Sequence, residues 1–380
     1  MTTTLRVIVD DIVAPGSGGA GRYAEELTRE LIRTAPAGCE VSGVVSASPE
    51  ADYSTLHTLL PGLSDLFKSA LARRELHLAW QHGVTKLPGR GMIHAPSLLA
   101  PLGKRDQVAD PGGQTVVTIH DAVAWTHPAL ISPRQASWQK AMAKRAFKHA
   151  DAVVVPTHAV AHDLAGVYNF GDRIRVVGGA VSSRLALPVD AEDRAAVLDL
   201  PDRYILSAGT VDFRKGIAPL IRALATEHDA GLPLLVAGPD GWNAPDLEDV
   251  AAEAGLDPSR VRRLGVLSDG DLAVAIERAS VFAFPSLAEG FGLPLIEAFS
   301  LGTPVVHSDA PAIVEVAAGA GLAVPLADED GYPERLAAAI SSVLADAALA
   351  ERLRFSGLDR AAAFNWRDSA QQVWQLHADL

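Results

Sequence analysis

Residues 284–299 read FPSLAEGFGLPLIEAF. Within this apolar stretch Glu289 and Glu297 stand eight positions apart, separated by Gly290, Phe291, Gly292, Leu293, Pro294, Leu295 and Ile296. Carboxylates accept hydrogen bonds from paired hydroxyls, the chemistry of a sugar or a ribose. Unpaired N–H groups at a helix start suit a phosphate or a developing anionic oxygen. Proline favours the first helical positions, so a helix is expected to open near Pro294, with Glu297 in its first turn and Glu289 just outside. Taken singly, a helix N-terminus explains Glu297 and a turn cap explains Glu289; that reading accounts poorly for the two together.

Three other stretches carry candidate chemistry. In SAGTVDFRKG (207–216) a strand ends and Arg214 and Lys215 precede the next helix. Two adjacent cations oppose the dipole at a helix start, so something must compensate them. A phosphate or diphosphate would, gripped by a guanidinium fork and a point charge; a solvated turn is the alternative. In TIHDAVAWTHP (118–128), His120 falls at a strand end beside Asp121 and is either a hydrogen-bonded core histidine or a site residue. His94, His127 and His158 have no metal-ligand spacing. In DDIVAPGSGGAGRY (10–23) a glycine-rich loop follows the first strand, and a helix is expected from about Gly21. This is an anion site or a plain tight turn. It fits a dinucleotide loop poorly, because GSGGAG departs from G-x-G-x-x-G and no acidic residue ends the second strand.

Short apolar runs alternate with helical patterns along the whole chain. LRVIVD (5–10), EVSGVVS (40–46), MIHAP (92–96), TVVTIHD (115–121), AVVVPT (152–157) and IRVVGGA (174–180) form one series. YILSAGT (204–210), PLLVAGP (233–239), VRRLGVL (261–267), SVFAFPS (280–286), PVVHSD (304–309) and GLAVPL (321–326) form another. Continuous apolar runs predict strands buried on both faces of a parallel sheet, and the alternation predicts two doubly wound α/β domains. Their carboxyl ends, where ligands bind in such sheets, are where the unusual residues collect. The expected divisions are 1–185, 186–364 and a closing helix over 365–380, opened by a cap-like Asn365 and Asp368.

The chain has 380 residues and a formal net charge of −13. Residues 1–185 hold 19 basic and 16 acidic side chains, the remainder 14 and 30. The acidic second half disfavours nucleic acid as a partner. Cys39 is the one cysteine, so no intramolecular disulfide can form, consistent with a reducing compartment. The N-terminus has no signal-peptide pattern and no run reaches the ~18 apolar residues of a membrane span, which leads to an expectation of a cytoplasmic protein, at most bound to the inner membrane surface. For that surface PRQASWQKAMAKRAFKHA (133–150) is a candidate, its Arg134, Lys140, Lys144, Arg145 and Lys148 interleaved with Trp138, Met142 and Phe147; ALARRELHLAW (70–80) is a second. Asp328-Glu329-Asp330 reads as a solvated loop.

These motifs, in this order, resemble retaining glycosyltransferases of family 4, which have the GT-B fold, over nearly the whole chain. The E-x7-E of Glu289 and Glu297 is the most specific part, with Arg214-Lys215-Gly216 its usual companion. Gly18-Gly19, the IHD at His120 and VVVPTHAVAHDL (153–164) also match, and TIHDAVAWTHPALISPRQ looks most like the mannosyltransferase branch. The resemblance implies an acceptor-binding first domain and a nucleotide-sugar-binding second domain facing it across a cleft. Arg214 and Lys215 would hold the diphosphate; Glu297 would bind the ribose. Glu289, with the backbone from Gly290 through Phe291 and Gly292 to Leu293, would contact the sugar. Gly18 and Gly19 would approach the diphosphate, His120 the transferred sugar, and Val266 and Leu267 the base. No cofactor or metal would be needed, and the best-guess reaction is transfer of mannose from GDP-mannose to a glycan, lipid-linked or small-molecule acceptor in cell-envelope glycan synthesis. A non-catalytic sugar-nucleotide or glycan-binding protein is the alternative, and a nicotinamide-dependent dehydrogenase is disfavoured by the missing ribose acid.

Overall fold

The computed structural model describes residues 2–16, 18–104 and 112–380. The chain forms two compact units, Met1–Gly179 with Asn365–Leu380, and Ala180–Phe364. The division falls at Gly179/Ala180 and not at 185/186, because the intervening residues already belong to the second unit. Val181 packs on that unit's core, Leu185 is buried, and Arg184 pairs with Asp269 at 3.0 Å.

The first unit is built on a seven-stranded parallel sheet: β1 (Thr3–Ile8), β2 (Cys39–Ala47), β3 (Leu66–Ala72), β4 (Met92–Ala95), β5 (Thr115–Thr118), β6 (Ala152–Val155) and β7 (Ile174–Val176). Its order is β3-β2-β1-β4-β5-β6-β7. The second unit has β8 (Ile205–Ala208), β9 (Leu234–Ala237), β10 (Val261–Gly265), β11 (Val281–Phe284), β12 (Val305–Ser308) and β13 (Leu322–Val324), in the order β10-β9-β8-β11-β12-β13. Every pairing is parallel. Central strands such as AVVV and VFAF are buried at every residue, because helices cover both faces.

Six of the helices carry or adjoin the stretches singled out in the sequence: α1 (Gly18–Arg33), α2 (Arg73–His82), α3 (Pro133–His149), α4 (Ile217–Ala223), α5 (Leu293–Ser300) and α6 (Trp366–Asp379). Helix α6 opens on Asn365, whose Oδ1 accepts from the Asp368 N–H at 2.9 Å. It packs within the first unit: the Trp374 indole donates to the Leu31 carbonyl at 3.1 Å, Ser369 Oγ to the Gly178 carbonyl at 2.8 Å, and Trp366 meets Tyr23 edge-on.

Three sequence expectations change. Helix α1 starts at Gly18, three residues before Gly21, so Gly18 and Gly19 form its first turn and stand exposed; Ser17 lies outside the described residues. The stretch 70–80 is not one basic face. It crosses from the edge strand β3 into α2, and Arg73 is occupied by Asp10 at 2.9 Å and Asp11 at 2.8 Å. In α3 the apolar residues turn inward: Met142 is fully buried, Trp138 stacks on His77 and Phe147 on Tyr168. Arg134, Lys140, Lys144 and Lys148 are left outward, whereas Arg145 reaches the Leu102 carbonyl. Asp328, Glu329 and Asp330 are exposed, and among the described residues no group of three or more His, Cys, Asp or Glu could hold a metal. No helix among them is long and apolar enough to cross a membrane.

Candidate functional site

In the second unit β8 lies between β9 and β11, so the connection order reverses at the β8–β11 pair. Open α/β sheets bind ligands beyond the carboxyl ends of strands at such a reversal. The segments leaving β8 and β11 carry Arg214-Lys215 and Glu289. After β8 the chain makes a 3-10 turn, Phe213–Lys215, capped by Asp212, whose carboxylate accepts from the Lys215 N–H at 3.1 Å. Gly216 then enters the left-handed region (φ 67°) and starts α4. A Cβ at Gly216 would lie 2.1 Å from the Pro285 carbonyl oxygen, so only glycine lets this turn lie on the segment after β11. The Leu287 N–H closes the contact by donating to the Arg214 carbonyl at 2.8 Å. From behind, the Tyr332 hydroxyl donates to the Pro285 carbonyl at 3.2 Å, and the buried Ser308 hydroxyl to that of Ser286.

The result is a three-residue charge cluster. Arg214 Nη1 lies 3.0 Å from one oxygen of Glu289 and 3.1 Å from the Ala288 carbonyl, while Lys215 Nζ pairs with the other oxygen of Glu289. All three side chains are largely buried, at 18%, 12% and 8% exposure for Arg214, Lys215 and Glu289. The Lys215 ammonium also stands 5.3 Å from the centre of the Phe284 ring. Burial works against ionising Glu289, but Lys215 and Arg214 outweigh it and hold the carboxyl at about 2. The compensating charge that two adjacent cations require is therefore, in this structure, a side chain.

Glu297 stands elsewhere on the same segment. Gly292, in the left-handed region (φ 88°), starts α5 at Leu293, with Pro294 second. Glu297 is thus the fifth helical residue, in the second turn and not the first, and is buried. Between the two glutamates Gly290, Phe291 and Gly292 are buried and Leu293 is half-buried, with Phe291 edge-on to Phe364. On the far side of β9, the Gly238 N–H donates to the Gly265 carbonyl at 2.7 Å. Val266 beyond it is exposed and Leu267 packs partly on the core.

In the first unit His120 follows β5. Its Nε2 lies 2.7 Å from the Pro96 carbonyl, and its ring meets Tyr23 of α1 edge-on at 4.8 Å. The bond to Pro96 makes Nε2 the protonated nitrogen and leaves Nδ1 as the acceptor. Burial holds His120 below the ordinary histidine value, against the opposing pull of Pro96, Asp121 and Asp11. Gly18 and Gly19 open the helix that carries Tyr23, whose ring contact brings α1 against His120 beyond the carboxyl end of β5. Asp121 is turned to the backbone, accepting from the Val123 N–H at 3.0 Å.

Asp212, Ser286 and Tyr332 were not singled out by sequence. Asp212 carries a local signal, an Asp three residues before Lys215 at a turn start. Tyr332 matters through the Pro285 carbonyl that the fold brings to it, and Ser286 through its own carbonyl, held by Ser308, and its side chain, which favours the ionised Glu289.

Two family models divide the chain between them. "Glycosyltransferase Family 4" matches residues 17–184 and "Glycosyl transferases group 1" residues 189–358. This chain is a family 4 glycosyltransferase. Among curated relatives, the O-antigen chain mannosyltransferase B of Escherichia coli is 29% identical over 273 residues, spanning 68% of this chain and 69% of that protein. The MMP alpha-(1->4)-mannosyltransferase of Mycolicibacterium hassiacum is 28% identical over 94% of this chain and 93% of its own length. Anabaena Alr3699/HepE in complex with UDP-glucose has the same fold, with a TM-score of 0.72 at 17% identity and full coverage of both chains. The enzyme thus belongs with sugar-transferring GT-B proteins of two Rossmann-like domains, in the mannosyltransferase-like branch of its family.

Proposed function

We propose that this enzyme transfers a hexose, mannose from GDP-mannose, from a nucleotide-diphosphate sugar to a hydroxyl of a glycan, lipid-linked or small-molecule acceptor, with retention and without a metal. The observation that carries this reading is the buried Arg214–Glu289–Lys215 cluster at the reversal point of the second sheet. Its two fixed cations are suited to a diphosphate that gains charge as it departs, and preorganised charge in a water-poor site is the largest single contribution in many enzymes. Glu289 keeps the cations paired until the diphosphate takes its place, and then accepts from sugar hydroxyls. The bond from the anomeric carbon to the phosphate oxygen breaks. The bond from that carbon to the acceptor oxygen forms on the same face, and the acceptor proton passes to the departing phosphate oxygen. Glu297 serves the ribose, the backbone at Val266 and Leu267 the base, Gly18 and Gly19 the diphosphate, and His120 the transferred sugar.

The choice of mannose rests on the two mannosyltransferase relatives, and a role in cell-envelope glycan assembly on the O-antigen one alone. A cytoplasmic setting belongs to the same proposal. Contact of α3 with anionic lipid would be electrostatic only, through Arg134, Lys140, Lys144 and Lys148, since its apolar side chains face the core. A thermal-shift and hydrolysis screen of GDP-mannose, UDP-glucose and UDP-N-acetylglucosamine tests the donor. Lys215→Ala is expected to lower transfer from the selected donor by about 10²–10³-fold with circular dichroism unchanged. Full transfer in both Lys215→Ala and Glu289→Ala would overturn the reading, and binding without turnover would favour a non-catalytic sugar-nucleotide protein.

A further inference from the structure

The loop that leaves β9 is held on both sides. Toward β8, the Gly241 N–H donates to the Val211 carbonyl at 2.8 Å. A Cβ at Gly241 would fall 2.7 Å from Thr210 Cγ2 and 3.0 Å from Asp212 Cβ, so the loop lies directly against the turn that presents Arg214 and Lys215. Toward β10, the Gly238 N–H reaches the Gly265 carbonyl, Arg263 pairs with Asp240, and Arg263 Nη2 donates to the Pro245 carbonyl at 2.9 Å. The loop is thereby fixed between the two cations and the segment Gly265–Leu267. At its tip stands Trp242, 46% exposed, followed by Asn243 in the left-handed region at φ 53°. Among the described residues no aromatic ring or cation stacks on Trp242, whereas Trp125, Trp138 and Trp366 each meet a ring. A rigid loop that holds a large aromatic face half in water, one residue from a glycine jammed against a cation turn, is a place for a flat ligand tethered to an anion.

We infer that Trp242 is the stacking platform for the base of the nucleotide-sugar donor and favours a purine there. The inference rests on the donor reading above. A diphosphate at Arg214 and Lys215 leaves its nucleoside within one ribose of the α-phosphate, and the loop from Gly238 to Pro245 borders that position from the cation turn to Val266. Every base has a π-face, and an indole overlaps a two-ring purine more fully than a one-ring pyrimidine. Val266 and Leu267 then supply an edge and Trp242 a face.

The test is calorimetric titration of the wild-type enzyme, Trp242→Ala and Trp242→Phe with GDP, UDP and inorganic pyrophosphate. Trp242→Ala is expected to weaken GDP by about 10- to 100-fold and UDP by less, and to leave pyrophosphate within about twofold, with Trp242→Phe in between. GDP binding unchanged in Trp242→Ala overturns the inference while leaving the donor reading intact. Equal weakening of GDP and pyrophosphate also overturns it, since the loop would then act only by supporting the cation turn. If the wild type binds none of the three, the donor reading itself fails, and the inference with it.

Discussion

At the scale of single residues, Glu289 does two things. It neutralises two buried cations, and in the proposed function it also accepts from hydroxyls of the donor sugar. Replacing it with Gln keeps the shape and removes the charge that both cations share. Breaking a buried pair from one side costs on the order of 3 kcal/mol, so Glu289→Gln is expected to lower the urea midpoint while the chain stays folded. Pyrophosphate should restore more stability to the variant than it adds to the wild type, because a bound anion supplies the missing charge. An unchanged midpoint would mean that the pairing adds nothing to stability. Glu297 differs from Glu289 in kind: it sits within a helix among Leu295, Ile296, Ala298 and Phe299, all buried.

At the scale of elements, the site depends on backbone that lies on backbone. Gly216 combines a left-handed φ with a contact that allows no side chain. Gly231 has a similar φ, 74°, with nothing within 4 Å of its Cβ position. Gly231→Ala should therefore cost only the conformational term, about 1 kcal/mol, whereas Gly216→Ala should cost several times that. Gly216→Ala should also abolish nucleotide binding, because the turn bearing both cations must move off Pro285. Parallel melts and GDP titrations of the two variants measure this, and equal losses would show that the close approach is unimportant.

At the scale of the whole molecule, the two units should differ in their response to acid. In the first, His94 and His377 are buried side by side, with His377 Nε2 3.4 Å from His94 Nδ1. Burial holds both below the ordinary value of 6.5, His94 well below it and His377 at about 4. Their contribution to stability is complete above pH 6.5, where the unfolded chain is also neutral, and is lost as pH falls toward 4. In the second unit Glu289 contributes fully above pH 4.5 and loses its contribution as pH falls toward 2. Burial also holds His307 of the second unit down, but the first unit has more such histidines, His77, His94, His120 and His377, and should therefore weaken more steeply between pH 6.5 and 4; His377→Phe should flatten that decline. Urea midpoints followed across pH test this; an undiminished slope in His377→Phe would count against the pair as its source.

Much of this molecule is legible along the chain. Strands buried on both faces must be continuous apolar runs, so AVVV, LLVA and VFAF announce themselves, and the helices between them reveal the parallel connections. Asn365 and Asp368 mark a helix start by chemistry confined to four residues. The candidate site residues were legible as types at strand ends. Strand β3 was not, because LFKSALA lies at a sheet edge, half in solvent, with no β-branched residue and no clean alternation. Nor was the inward turn of Trp138 and Phe147, which depends on what packs beside α3. The partnership of Lys215 with Glu289 spans 74 positions and exists only because β8 and β11 are neighbours where the strand order reverses. Local sequence determined that each segment would end in charge beside glycine, since backbone conformation and capping are decided within a few residues. Which charges would meet was decided by the tertiary fold alone, because strand order is set by the packing of the whole sheet.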